Sequence, residues 1–380
     1  MHDMIPDDVF VADAVTHAYN LDPSNYAIER YAEPVIDLML GAERAMPDEY
    51  ERTEETFLTD WGSEVTTKML FQESQVDFAV FHPQSITIFE DGLTSLEKAE
   101  KFGEANPDRS ALFASLDIIG MDDPKAELAR QVEMFDAHGV KVYPSYWTDD
   151  GHQGFKMDDP SQAFPLWEHA VDLGLDVIAV HKAVPFGNVP MDSYRVEDVE
   201  EAAESFPEIN FEIVHGGFLF AEETGLQIAK HDNVYVNLEI TDMEAATNPD
   251  AFVDTMENLL WAGGKDATEK VLWGTGAPQY HPQLLLESFW ELDFPEMDSA
   301  QGTYTVTKED KRKMVGENLT EAHNFELEEL KETTEKKGRV METGMRNPKP
   351  RTKVTGMTMQ MRKRTRAMWR MGPMKGTSQM

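Results

Sequence analysis

Four histidines of this 380-residue chain close short apolar runs. His17 ends "VFVADAVTH" (9–17), His82 ends "VDFAVFH" (76–82), His181 falls near the end of "LDVIAVHK" (175–182), and His215 ends "INFEIVH" (209–215). Glu239 holds the same place in "NVYVNLEI" (233–240), and Lys141 lies inside "GVKVYPS" (139–145). A lone strand-end histidine more often satisfies a structural hydrogen bond. Four at equivalent positions point instead to one shared mouth. Converging neutral imidazoles suit a borderline ion such as Zn²⁺, which would acidify a water or polarise a carbonyl. His138, His152, His169 and His231 fall in helices or loops and read as surface residues.

The elements that must position these side chains follow from the pattern. Two further apolar runs, "SALFASLD" (110–117) and "EKVLWGTG" (269–276), bring the number of strands to eight. Helical stretches separate most of them. "DPKAELARQVEMFDAHG" is one, opening on Asp123 and Pro124 and closing on Gly139 as helix signals should. Eight alternating units predict a closed parallel (β/α)8 TIM barrel over residues 1–330, with the strand C-termini gathered at one mouth. A doubly wound open sheet is the runner-up, but no Gly-rich phosphate loop follows the first strand. Strict alternation places Val9, Val11, Asp13, Val15 and His17 on one inward face, with Val177, Ala179 and His181 on a second and Phe211, Ile213 and His215 on a third.

Composition narrows the setting. With no cysteine, disulfides and thiolate metal sites are excluded. No apolar run approaches the roughly 18 residues of a spanning helix, and the N-terminus lacks a basic-then-apolar leader, so the reading is a cytoplasmic protein without a membrane partner. The formal charge of -37 hides an asymmetry, because residues 1–335 carry 21 basic and 70 acidic residues. Such a body repels nucleic acid and suits concentrated salt, in which self-repulsion is screened; its melting temperature should rise between dilute buffer and molar salt. Residues 331–380 read as a separate disordered tail. From Lys336 onward it holds 13 Lys and Arg, one acid (Glu342) and nine of the 22 methionines. A basic nucleic-acid arm is one interpretation. The favoured one is a frame change near Glu332 to Lys337, because "MTMQMRKRTRAMW" (357–369), written with G-ending codons and regrouped by one base, encodes an acidic segment like the body.

Taken in order, "VADAVTHAY", "VIAVHKAVPFGN", "FEIVHGGF", "NVYVNLEI", "VLWGTGAP" and "MVGENL" resemble the amidohydrolase-related group of the amidohydrolase superfamily, which includes hydrolases and aminocarboxymuconate-semialdehyde-type decarboxylases. The resemblance covers about residues 9–325 and implies a metal-dependent enzyme, with zinc the expected ion. The family's Asp-x-His-x-His on the first strand matches Asp13 to His17, with Val15 in place of the first histidine. The resemblance makes His181 a metal ligand and His215 a proton carrier or ligand. The acid of the family's Gly-Ser/Thr-Asp-x-Pro turn would fall at Gly276, within Gly274 to Pro278. His281 is a candidate third ligand beside His17 and His181, or a helix cap, and His82 or Glu239 could supply a neighbouring ligand. Lys141 invites comparison with the carboxylated lysine of two-metal relatives, but a substrate-anion or structural role is the commoner use of such a residue and the favoured reading.

These readings predict hydrolysis or non-oxidative decarboxylation of a small organic acid, amide or lactone. In that scheme His17, His181 and His281 hold a divalent metal, while His215, Glu239 and Lys141 carry the catalysis, in an enzyme that can form homo-oligomers. The alternative is a metal-free barrel that has lost catalysis and serves as a binding or scaffold protein; the departures at Val15 and Gly276 favour it, and the retention of His17, His181 and His215 argues against it.

Overall fold

The computed structural model of the chain describes residues 5–341. Eight parallel strands form one sheet: β1 (Ala12–Thr16), β2 (Phe78–Phe81), β3 (Ser110–Leu116), β4 (Gly139–Val142), β7 (Val177–His181), β8 (Asn210–Val214), β9 (Val234–Asn237) and β10 (Val271–Leu272). Each expected apolar run supplies one of them. They are short, and all but the rims of β3 and β8 are buried, as expected for strands covered on both faces. The edges meet beyond β10: Ala14 N donates to Trp273 O at 3.0 Å, Gly276 N to Val15 O at 2.9 Å and His17 N to Ala277 O at 2.7 Å. The sheet therefore closes into the (β/α)8 barrel. Asp13 fastens the same seam, accepting from Thr275 N at 2.9 Å and from the Thr275 hydroxyl. Burial raises its carboxyl to about 7.

Two apolar layers show which side chains point where. Val11, Ala79, Val140, Ile178, Phe211 and Ile213 pack outward with the helices, among them Leu70, Phe102 and Trp167. Ala12, Ala14, Phe113, Ala179, Val214 and Leu272 fill the interior, and Leu319, Ala322, Phe325, Leu327 and Leu330 plug its floor. The expected parity therefore holds for β7 but not for β1 or β8. Val11, Phe211 and Ile213 face the helices, whereas Glu212 and Val214 face inward. His17 and His215 still reach the mouth because the backbone departs from regular pleating. A register irregularity between Asp13 and Thr16 shifts the phase of β1, and His215 adopts φ 62° directly after β8.

A third apolar cluster lies over the mouth. It joins Tyr19, Val35, Ile36 and Leu40 of the β1–β2 connection to Ile86, Ile88 and Phe89 after β2, and to Tyr143, Trp147 and Phe186. Trp147 sits on an antiparallel hairpin, β5 (Ser145–Thr148) with β6 (Gly151–Gly154), which no reading of the apolar runs anticipated. At the other end, the helix Leu327–Met341 continues across the expected boundary at 330/331. The Met-rich stretch expected to be a shifted tail lies outside the described residues. Among the described residues no helix is long and apolar enough to cross a membrane.

Candidate active site

Five of the six residues expected to do chemistry come together at the strand C-termini. His17, His181, His215 and Glu239 are each no more than 4% exposed, and Lys141 is fully buried. His215 lies one residue past β8. Glu239 lies two past β9, where Ile240 has φ 67° and the chain turns. His281 is placed elsewhere. It precedes the helix Pro282–Glu291 without a side-chain capping bond, and its ring faces Glu73 at 3.6 Å and Tyr50 at 5.4 Å. His82, also buried, stacks on Phe113 at 4.4 Å, and neither of its ring nitrogens has a hydrogen-bond partner.

Each mouth imidazole spends one nitrogen on a backbone carbonyl, and a carbonyl can only accept. His17 Nδ1 donates to His82 O at 2.7 Å, His181 Nε2 to Val184 O at 2.6 Å, and His215 Nδ1 to Glu239 O at 2.9 Å. These bonds fix the tautomers, so the opposite nitrogens of neutral rings present lone pairs to the mouth. His215 Nε2 and His181 Nδ1 then face each other at 3.1 Å. His215 Nε2 lies 3.6 Å from Glu239 Oε2, and His17 Nε2 lies 3.4 Å from Glu239 Oε1.

Electrostatics sharpens this picture. Burial lowers His215 to about 4 and, together with the neighbouring His215 and Lys141, holds His181 well below the ordinary imidazole value. Neither ring carries a proton on its inner nitrogen near neutrality, so two acceptors are pressed together. Burial alone would raise Glu239, but His215, His17 and Lys141 outweigh it and hold the carboxyl at about 2. The nearby cation is Lys141, lowered by burial to about 8; its Nζ has no hydrogen-bond partner and sits 5.4 Å from the Tyr143 ring centre.

The donor types, neutral imidazoles and a carboxylate, suit a divalent cation. Their pairwise separations of 3.1, 3.4 and 3.6 Å are ones that neighbouring ligands can have, but no three of them lie within 4.8 Å of one another. The donors are strung around the two oxygens of Glu239, and not all gathered on one point. Among the described residues, Glu200, Glu204 and His231 do have ligand atoms all within 4.8 Å of one another, but Lys230 Nζ already pairs with both glutamates.

Aromatic rings wall the site: Tyr19 lies 5.0 Å from His17, and Tyr143 and Phe186 lie 4.9 and 5.5 Å from His181. Beside His181 is an apolar cavity of about 60 Å³, lined by Val35, Met39, Phe186, Met243 and Tyr280. The larger groove, about 940 Å³, lies at the barrel floor around His138, His323 and Phe325, away from these donors.

A family model described as amidohydrolase matches residues 94–320, more than half of the chain. The chain belongs to the amidohydrolase family. Solved structures similar to this amidohydrolase include an uncharacterised TIM-barrel protein from Bordetella bronchiseptica, at 15% identity and TM-score 0.55, with 84% of this chain and 99% of that one covered. A 2,6-dihydroxybenzoate decarboxylase from Rhizobium aligns at 13% identity and TM-score 0.50, covering 83% and 98%. A 5-carboxyvanillate decarboxylase from Novosphingobium aromaticivorans, solved with bound manganese, aligns at 11% and 0.50, covering 84% and 98%. At these identities the likeness is one of fold. No curated protein matches the sequence.

Sequence reasoning missed several residues that shape the amidohydrolase site. The mouth-facing rings of Tyr143 and Phe186 left no motif, because a ring that packs on a histidine looks like any other core aromatic. His138 and His231 were expected at the surface; His231 is 8% exposed, and the Nε2 atoms of both are buried. The helix C-termini that carry them turn back against the barrel.

Proposed function

We propose that this amidohydrolase is a metal-dependent enzyme that removes CO₂ from a small carboxylic acid without an oxidant. One observation carries the reading: inner lone pairs of two histidines lie 3.1 Å apart beside an ionised, buried glutamate. That arrangement repels itself unless a cation is bound. His17 and His181 are the imidazoles proposed to hold a divalent ion, whose chemistry is to draw electrons from the substrate. His281 is left out of this set because its Nε2 faces Glu73.

The remaining roles follow from position. Lys141 Nζ, buried without a partner, supplies a countercharge for the substrate carboxylate. His215 Nε2 holds no proton at rest; in this reading it takes one from solvent as the substrate carboxylate enters and hands it on. When the bond to the carboxylate carbon breaks, its electron pair stays on the substrate carbon, CO₂ leaves, and a proton from Nε2 takes the vacated position. The aromatic walls and the apolar cluster over the mouth exclude water, which would otherwise solvate the carboxylate and deepen its ground state. The names of the decarboxylases with this fold support the reading. Hydrolysis of an amide or lactone is the second reading, supported by family membership.

The test is elemental analysis of untagged protein, followed by a screen of small aromatic and unsaturated carboxylic acids for CO₂ release. About one divalent ion per chain and CO₂ release that chelators abolish are expected. Protein that is correctly folded, metal-free and unable to bind added Mn²⁺ or Zn²⁺ would return the chain to the scaffold reading. Metal-dependent hydrolysis without CO₂ would establish the second reading.

A further inference from the structure

We propose that Glu239 is the carboxylate ligand of the divalent ion, replacing the acid that the turn Gly274 to Pro278 lacks, and that Gly276 is glycine because Glu239 occupies its side-chain space. The inference rests on the metal-dependent reading above. Its evidence is steric. A Cβ placed on Gly276 would lie 2.6 Å from Glu239 Oε1, 3.2 Å from its Cγ and 3.3 Å from its Cδ. No side chain fits there while Glu239 keeps its place. The two positions therefore compete for one volume, and the carboxylate in that volume comes from the end of the seventh barrel strand and not from the eighth.

The surrounding bonds hold Glu239 in this role. Its backbone N donates to Asn237 Oδ1 at 3.0 Å and its carbonyl accepts from His215 Nδ1 at 2.9 Å, so the residue is clamped from both sides. The neighbouring glycine makes room in the same way: a Cβ on Gly274 would lie 2.8 Å from Asn237 Oδ1. The two carboxylate oxygens are shared out, Oε1 toward His17 and Oε2 toward His215. Among the described residues no Lys or Arg hydrogen-bonds to either oxygen, and Lys141 acts on the carboxylate only through space.

The exchange can be run backwards. Gly276 has φ 66°, a conformation aspartate tolerates better than most residues. The experiment measures Mn²⁺ stoichiometry and Kd, and the Mn²⁺-induced rise in melting temperature, for four full-length proteins: wild type, Glu239→Gln, Gly276→Asp, and the double Glu239→Gly, Gly276→Asp. Glu239→Gln should weaken Mn²⁺ binding at least tenfold while keeping the metal-free melting temperature. Gly276→Asp should also weaken it, because the new side chain displaces Glu239. The double variant should recover at least tenfold over Glu239→Gln. Wild-type binding with a Glu239→Gln Kd within twofold would overturn the inference and leave the metal-dependent reading standing. So would a double variant no better than Glu239→Gln. If Glu239→Gln fails to fold, the double variant decides alone. Wild type that binds no divalent ion overturns both.

Discussion

The two ends of the barrel each bury histidines against a glutamate, yet only one is arranged for chemistry. At the floor, His323 Nε2 donates to Glu212 Oε1 at 2.6 Å, and Asn237 Nδ2 donates to Glu212 Oε2 at 3.3 Å, all of them fully buried. Both carboxylate oxygens are thus satisfied by protons the protein supplies. The His323 ring stacks on Phe113, His138 and Phe325. At the mouth the bookkeeping is reversed: the imidazole protons go to carbonyls, and lone pairs are left facing a carboxylate. Burial and residue type are alike at the two ends. What distinguishes a site is where the N–H groups are spent, and cavity size misleads, since the larger groove is at the floor.

The sharpest way to break this comparison is to delete one histidine from each end. His181→Ala should abolish bound metal and lower turnover by about 10³-fold, with a smaller loss of stability than the floor variant, because no buried carboxylate loses its hydrogen-bond donor. A variant with full metal content and turnover would remove His181 from the site. His323→Ala should do the opposite. It strands Glu212 in the dry interior and costs about 3 kcal/mol of stability, read by denaturant unfolding, with metal content unchanged. Loss of metal in His323→Ala at temperatures where it remains folded would show that the two ends are coupled.

Much of this contrast was legible in the residue order, for definite reasons. Parallel strands buried on both faces appear as continuous apolar runs, so the polar residue that ends each run stands out; His17, His181, His215 and Glu239 were found that way. Lys141 stood out as a charge within such a run. What could not be read is whatever depends on local departures from pleating. Alternation assigned Phe211 and Ile213 to the interior because nothing in "INFEIVH" announces the positive φ at His215. The partnership of Glu212 with His323 spans 111 residues and joins a strand to a late helix. The cluster over the mouth escaped because its apolar residues, from Tyr19 to Tyr194, are scattered over loops without a period. Gly276 was read as a loss. Only the approach of Glu239 shows that the glycine leaves room for a carboxylate.

Lys141 sharpens the comparison at the mouth itself. Its ammonium is buried without a hydrogen-bond partner, whereas the unpartnered atoms at the floor, His323 Nδ1 and His138 Nε2, belong to imidazole rings. Lys141→Met keeps the length of the side chain and removes the charge. We expect unfolding free energy unchanged or raised, together with a 10- to 100-fold increase in KM for a carboxylate substrate, about 2.7 kcal/mol at the upper end. A stability loss with KM unchanged would make Lys141 a structural residue.

The smallest expected effect is at the floor and concerns pH. His138 is held at about 3, chiefly by burial and next by the adjacent His323, against an ordinary value of 6.5. Its ring lies 4.4 Å from Phe325 in a stacked arrangement, and its Nε2 has no hydrogen-bond partner. Because the folded value is depressed, the unfolded chain takes up a proton that the folded protein refuses. Stability from this residue is complete above pH 6.5 and is lost as pH falls through the interval toward 3. His138→Phe keeps the stack and removes the titration. Between pH 7 and pH 5 the variant should therefore lose less stability than wild type, by about 1 kcal/mol once partial exposure is discounted. Denaturant unfolding at both pH values measures the difference. The buried mouth histidines also contribute to acid lability, but they are common to both proteins and cancel. Parallel loss in variant and wild type would mean that His138 accepts a proton in the folded state, and that the floor is more open to water than its packing indicates.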